Sequence, residues 1–172
     1  MDKIKGYFTS NARVLISWSL FIIWMIVIFI LSAQNAEKSS DTSGSVLTFI
    51  LNITYRGFKD MNPSEQFELL EIYQGFIRKF AHFFIFGILG VLAVNAYKSL
   101  KIRDNGKVAI LAFATCVIYA ITDEVHQLFV PGRAFEFTDI IIDSSGSFIF
   151  ISLSLLIVYL IENRKEAQSD MP

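Results

Sequence analysis

The chain is poor in the residues that cross-link, turn or coordinate: one cysteine, three prolines and two histidines among 172 residues. A lone cysteine, Cys116, excludes an intrachain disulfide. Lying in an apolar stretch, it is expected to pack as a small hydrophobe. Charge is also scarce. Asp, Glu, Lys and Arg make up 18% of the chain, with a net charge of -1, which excludes the basic surface a nucleic-acid partner would need. No internal repeat is visible, and no stretch reads as a soluble domain. What the sequence has in excess is apolar surface: 53% hydrophobic residues and 17 Phe, with a mean hydropathy of +0.51.

That excess sits in four blocks, residues 14–31, 80–97, 108–122 and 140–161. Three are near the length needed to cross a hydrocarbon core, about 20 residues. The first is longer than the apolar region of a secretory signal, and Ser32-Ala33-Gln34-Asn35-Ala36 is a poor cleavage site, so it is expected to stay as a helix. The third is short, about 22 Å of helix, and spans only if it continues to about Phe129 or Val130. It then carries Asp123, Glu124, His126 and Gln127 into the membrane boundary. The expectation is an all-α integral membrane protein: a four-helix transmembrane bundle with spans near 14–32, 78–98, 107–129 and 139–161.

Basic residues give the orientation. Lys3, Lys5 and Arg13 precede the first block, and Lys98, Lys101, Arg103 and Lys107 separate the second and third. The two remaining connections are acidic. Lys and Arg excess marks the cytoplasmic side, so both termini are expected inside and the acidic connections outside. The longer of these, residues 33–77, contains further signals. Asn62-Pro63-Ser64-Glu65 reads as a helix start, with a helix to about Gly75. Residues 46–58 read as an interfacial or re-entrant segment, and the Ser/Asp/Gly stretch 39–45 as a loop.

Four antiparallel spans would bring the unusual polar residues to one end: Ser32 and Gln34 closing the first, Arg78, Lys79 and His82 opening the second, Asp123, Glu124 and Gln127 closing the third, Asp139 and Asp143 opening the fourth. Charges at membrane depth are costly and face a partner or a water-filled cavity. Asp123 and Gln127 share one helical face, Asp139, Asp143 and Gly146 another, and Arg78 and His82 a third. Pro131-Gly132-Arg133 is a turn signal that would set the Arg133 guanidinium at the cavity mouth, where its planar fork suits a phosphate or carboxylate. Arg78, Lys79, His82 and Arg133 are expected to balance Asp123, Glu124, Asp139 and Asp143. The plainer alternatives are that Glu124 reaches water, that His126 faces solvent, and that the acids and bases form only a structural network.

These residues, in this order, resemble the VanZ-like family. The resemblance rests on Ser32-Ala33-Gln34, Arg78-Lys79-Phe80-Ala81-His82, Asp123-Glu124-Val125-His126-Gln127 with Phe129, Pro131-Gly132-Arg133, and Asp139-Ile140-Ile141-Ile142-Asp143 with Gly146, across residues 14–161. At Asp143 the family commonly has Asn, so this chain adds a negative charge. The resemblance implies one multi-pass domain in a bacterial cytoplasmic membrane, linked to resistance to teicoplanin, a lipoglycopeptide that binds cell-wall precursors outside the membrane.

Two readings stand side by side. In one, the outer cavity recognises or modifies an anionic lipid-linked envelope component, a cell-wall precursor or the lipoglycopeptide itself. Ser32, Gln34, Arg78, Lys79, Gln127, Arg133, Asp139 and Asp143 would line or hold the ligand, and His82 with Asp123 or Glu124 would form an acid/base pair. In the other, the protein is non-catalytic and acts through partner proteins, its polar cluster being an ion-pair network. A small transporter is a poor fit without an inverted repeat. No cofactor is implied, and no compact spacing supports a metal.

Overall fold

The computed structural model describes residues 2–169 of the chain. Five α-helices follow one another: α1 Asp2–Ser32, α2 Ala36–Thr54, α3 Pro63–Ser99, α4 Asn105–Gln127 and α5 Phe137–Ser169, with a short 3-10 turn Arg56–Asp60 between α2 and α3. Four of them, α1, α3, α4 and α5, contain segments long and apolar enough to cross a membrane.

The central helix is α3, which packs against each of the other four. Its start is a capping box: Asn62 accepts from the Glu65 amide, and the Glu65 carboxylate accepts from the Asn62 amide. Pro63 takes the first helical position, where its missing N–H costs nothing. The helix then runs unbroken for 37 residues, about 55 Å. This corrects the expectation of a loop helix ending near Gly75 and a separate span from residue 78. About 25 Å of α3 therefore extends beyond a hydrocarbon core of roughly 30 Å, and α2 packs against α3.

Residues 39–45, expected as a loop, belong to α2. Asn35 caps this helix by accepting from the Lys38 amide. The hydroxyls of Thr42, Ser45 and Thr48 donate to carbonyls four residues back. That pattern satisfies the polar side chains without breaking the helix.

The deepest packing is between α3 and α5, where small residues let the backbones approach. Ser147 Oγ donates to the Phe86 carbonyl at 3.1 Å. A methyl group at Gly146 would collide with the Phe83 carbonyl, and one at Gly90 would touch the Ser147 backbone. Two further links tie α1 into the bundle: Trp24 Nε1 donates to the Ile85 carbonyl at 2.9 Å and Tyr119 Oη to the Met25 carbonyl at 2.5 Å. The outward faces of these helices, such as Leu15, Ile22, Ile26 and Ile30 on α1, are apolar and exposed, as lipid contact requires.

Helix α4 explains why carboxylates end up inside. Its buried stripe is Val108, Ala112, Cys116 and Ala120, four residues apart. The same stripe continues into Asp123, Glu124 and Gln127, all buried. The apolar part of the stripe carries the polar part into the bundle. Cys116 sits in this core.

Candidate functional site

The polar residues gather where α1 and α4 end and α5 begins, around the middle of α3. Ser32 Oγ donates to Asp123 Oδ2 at 2.7 Å, and Gln127 Nε2 donates to the same oxygen at 3.2 Å. Asp123 thus clamps the last residue of α1 to α4. Glu124 is fully buried, at 0% exposure, so it does not reach water. Its Oε2 accepts from the Glu136 amide at 2.9 Å, which fixes the connection into α5. Its Oε1 has no hydrogen-bond partner among the described residues.

Lys79 is fully engaged by the other chain segments. Its ammonium lies 3.2 Å from Glu136 Oε2 and 3.1 Å from Asp139 Oδ1, and donates to Thr138 Oγ1 at 3.3 Å. Glu136 was not singled out by sequence reasoning. Its only signal is its place in the connection that Pro131-Gly132 opens. Lys79 and Asp139 are therefore a bridge between α3 and α5 rather than free ligand-binding groups.

His82 faces Asp143, with Nδ1 3.4 Å from Oδ1. The expected partners were Asp123 or Glu124, but these are held by Ser32, Gln127 and the Glu136 amide. Asp143 is 0% exposed, and neither of its oxygens makes a hydrogen bond among the described residues. Among the described residues, the basic side chain paired with it is that of His82. His126, expected toward solvent, is half-buried and lies on the Phe29 ring with centroids 4.4 Å apart.

The connection from α4 to α5 turns at Pro131 and Gly132. Gly132 has φ +74°, a left-handed conformation that glycine adopts freely. A side chain there would also press on Ala36. The Pro131 carbonyl accepts from the Ala36 amide at 3.3 Å, so the start of α2 is fastened to this turn. Arg133 follows. Its Nη1 donates to Ser39 Oγ at 3.2 Å, and its buried Nε has no hydrogen-bond partner among the described residues. Burial, and then the neighbouring charge of Arg78, hold the Arg133 guanidinium below the ordinary arginine value.

Arg78 and Arg133 line one cavity of about 160 Å³ with Ser32, Gln34, Ser39 and His82. Neither guanidinium forms an ion pair with a carboxylate among the described residues. The rest of the lining is apolar, including Ile28 and Leu31 of α1, Val46 of α2, and Ile85 and Phe86 of α3. Of the residues expected to balance one another, two basic ones, Lys79 and His82, thus lie against acids, and Arg78 and Arg133 do not among the described residues. Among the described residues, no three His, Cys, Asp or Glu side chains are grouped to hold a metal ion.

A family model described as VanZ/LLP1 matches residues 17–159. The chain belongs to the VanZ/LLP1 family. Comparisons with curated proteins and with solved structures give no match. The VanZ/LLP1 segment takes in every residue of the polar cluster, from Ser32 to Asp143, and it makes this chain a multi-pass membrane protein of that family.

Proposed function

We propose that the cavity binds the anionic headgroup of a lipid-linked envelope component at the outer face of a bacterial cytoplasmic membrane, and that this contributes to lipoglycopeptide (teicoplanin) resistance. The observation that carries the reading is the pair of guanidiniums, Arg78 and Arg133, in one partly apolar cavity, neither ion-paired with a carboxylate among the described residues. A buried or half-buried cation without a counter-ion is unfavourable unless a ligand supplies one. Arginine at such a place suits phosphate or carboxylate through paired N–H donors. The outward orientation is supported by the basic residues at the opposite end, Arg13, Lys98, Lys101, Arg103 and Lys107, under the positive-inside rule. Membership of the VanZ/LLP1 family supports the link to resistance.

Within the cluster the residues divide by role. Arg78, Arg133, Gln34, Ser39 and His82 face the ligand. Asp123, Gln127, Lys79, Glu136 and Asp139 hold the helix ends around it. Any proton transfer to or from the bound headgroup falls to His82, with Asp143 behind its ring. The alternative reading, a purely structural ion-pair network, is favoured for Lys79, Glu136 and Asp139 by their mutual contacts, but it leaves the two arginines without a role.

The test is resistance in a strain that depends on this protein. Arg78→Ala and Arg133→Ala are each expected to abolish resistance at an unchanged membrane level of the protein. Full resistance in either variant at that level refutes the reading. Loss of the protein from the membrane in both would favour the structural alternative.

A further inference from the structure

The charge and shape of the cavity narrow the ligand beyond its being anionic. Three observations matter. First, the cavity presents two guanidiniums, neither ion-paired with a carboxylate among the described residues, while the hydrogen bonds of the nearby acids go to other groups: Asp139 and Glu136 to Lys79, Asp123 to Ser32 and Gln127, Glu124 to the Glu136 amide, with Asp143 against His82. Two cationic forks without an ion-pair partner among the described residues therefore face the ligand. Second, the volume is about 160 Å³, below the roughly 300 Å³ at which sites that enclose a whole drug-sized ligand begin. It has room for a headgroup and the first carbons of a chain. Third, Leu31 of α1 and Val46 of α2 both line the cavity and are 42% and 46% exposed. Each of these helices thus brings an apolar, exposed side chain to the edge of the cavity.

We propose, resting on the function above, that the ligand is a lipid carrying a doubly charged phosphate, a phosphomonoester or a diphosphate, whose chain leaves the cavity sideways between α1 and α2. A phosphodiester headgroup brings one negative charge and leaves one guanidinium uncompensated. A monoester or diphosphate brings two, with enough oxygens for a fork from each arginine. Leu31 and Val46 then flank the first methylenes, and the remainder of the chain stays in the bilayer. Free phosphate or diphosphate would meet the arginines but leave the apolar mouth unused.

The experiment uses the full chain in nanodiscs of phosphatidylcholine, at about pH 8.5, above the second phosphate ionisation near pH 6. Phosphatidic acid, a monoester, and phosphatidylglycerol, a diester of the same chains, compete for the protein, and bound lipid is read by native mass spectrometry. The expected result is a preference for phosphatidic acid of roughly tenfold, about 1.4 kcal/mol. Arg78→Ala and Arg133→Ala should each reduce it to near parity. Arg133→Lys, which keeps the charge, should retain most of it and guards against misfolding of the alanine variants. Equal retention of both lipids by the wild-type protein overturns the double-charge assignment while leaving the anionic-lipid reading standing. Retention of neither over phosphatidylcholine overturns that reading as well. Displacement of phosphatidic acid by an equal concentration of soluble pyrophosphate overturns the sideways-chain assignment.

Discussion

Two glycine-to-alanine substitutions should give opposite results, and the difference tests the packing that positions the site. Both glycines are helical. At Gly75 of α3 an added methyl group meets nothing within 4 Å. Alanine is a better helix former than glycine by about 1 kcal/mol, so Gly75→Ala should stabilise by up to that amount. At Gly146 of α5 the same methyl group runs into the carbonyl and Cα of Phe83. Those are backbone atoms, so α3 and α5 must separate. Overpacking of this kind costs about 1–3 kcal/mol, and contact with a rigid partner puts it toward the upper end. After the propensity gain, Gly146→Ala should still lose about 1–2 kcal/mol. The two variants should differ by roughly 2–3 kcal/mol, or about 30- to 150-fold in unfolding equilibrium constant. Equilibrium unfolding in mixed detergent and SDS micelles, followed by helical circular dichroism, measures this. A Gly146→Ala protein as stable as wild type would refute the close α3–α5 approach, and with it the placement of Asp143 and His82 against each other.

Other substitutions probe single links. Asp123→Ala leaves the Ser32 hydroxyl and the Gln127 amide without their shared acceptor and should cost about 1–3 kcal/mol in the same unfolding assay. Lys79→Met strips the cation from buried Asp139 and from Glu136. Because Lys79 is partly exposed, a loss of about 1–2 kcal/mol is expected. Tyr119→Phe deletes one hydrogen bond, to the Met25 carbonyl, and should cost only about 0.6 kcal/mol, the usual size for an interhelical bond within a membrane. A loss several times larger would mean that α1 depends on that bond to stay docked.

The parts of this structure that follow a period were legible in the sequence, and those set by the rotation of one helix against another were not. The four apolar blocks, the capping signal at Asn62-Pro63-Ser64-Glu65 and the turn at Pro131-Gly132-Arg133 are local, and each has a counterpart among the elements. The gathering of polar residues at one end follows from alternating helix direction. The extent of α3 was missed because the apolar pattern breaks at Arg78 and Lys79, whereas backbone hydrogen bonding needs no apolar residue to continue. Residues 39–45 were misread because Ser, Asp, Thr and Gly favour loops, yet here their hydroxyls fold back onto the helix. The period of α5 placed Asp139 and Asp143 on one face. It could not say that Lys79 would take the first and His82 the second. That pairing depends on how α3 is turned about its axis against α5, which small residues at Gly87, Gly90 and Gly146 decide. The same holds for Glu136, whose role exists only once the turn has folded.

Solid-state NMR tests directly the proposal that Arg78 and Arg133 share one anion. The protein, labelled with ¹⁵N-arginine, is reconstituted in bilayers containing phosphatidic acid, and ³¹P–¹⁵N dephasing is recorded on the guanidinium signals. Paired N–H donors on a phosphate place nitrogen within about 4 Å of phosphorus. Two arginine signals should dephase, and Arg78→Lys and Arg133→Lys should each remove one of them. Dephasing that survives both substitutions, or none in the wild-type protein, would contradict the account.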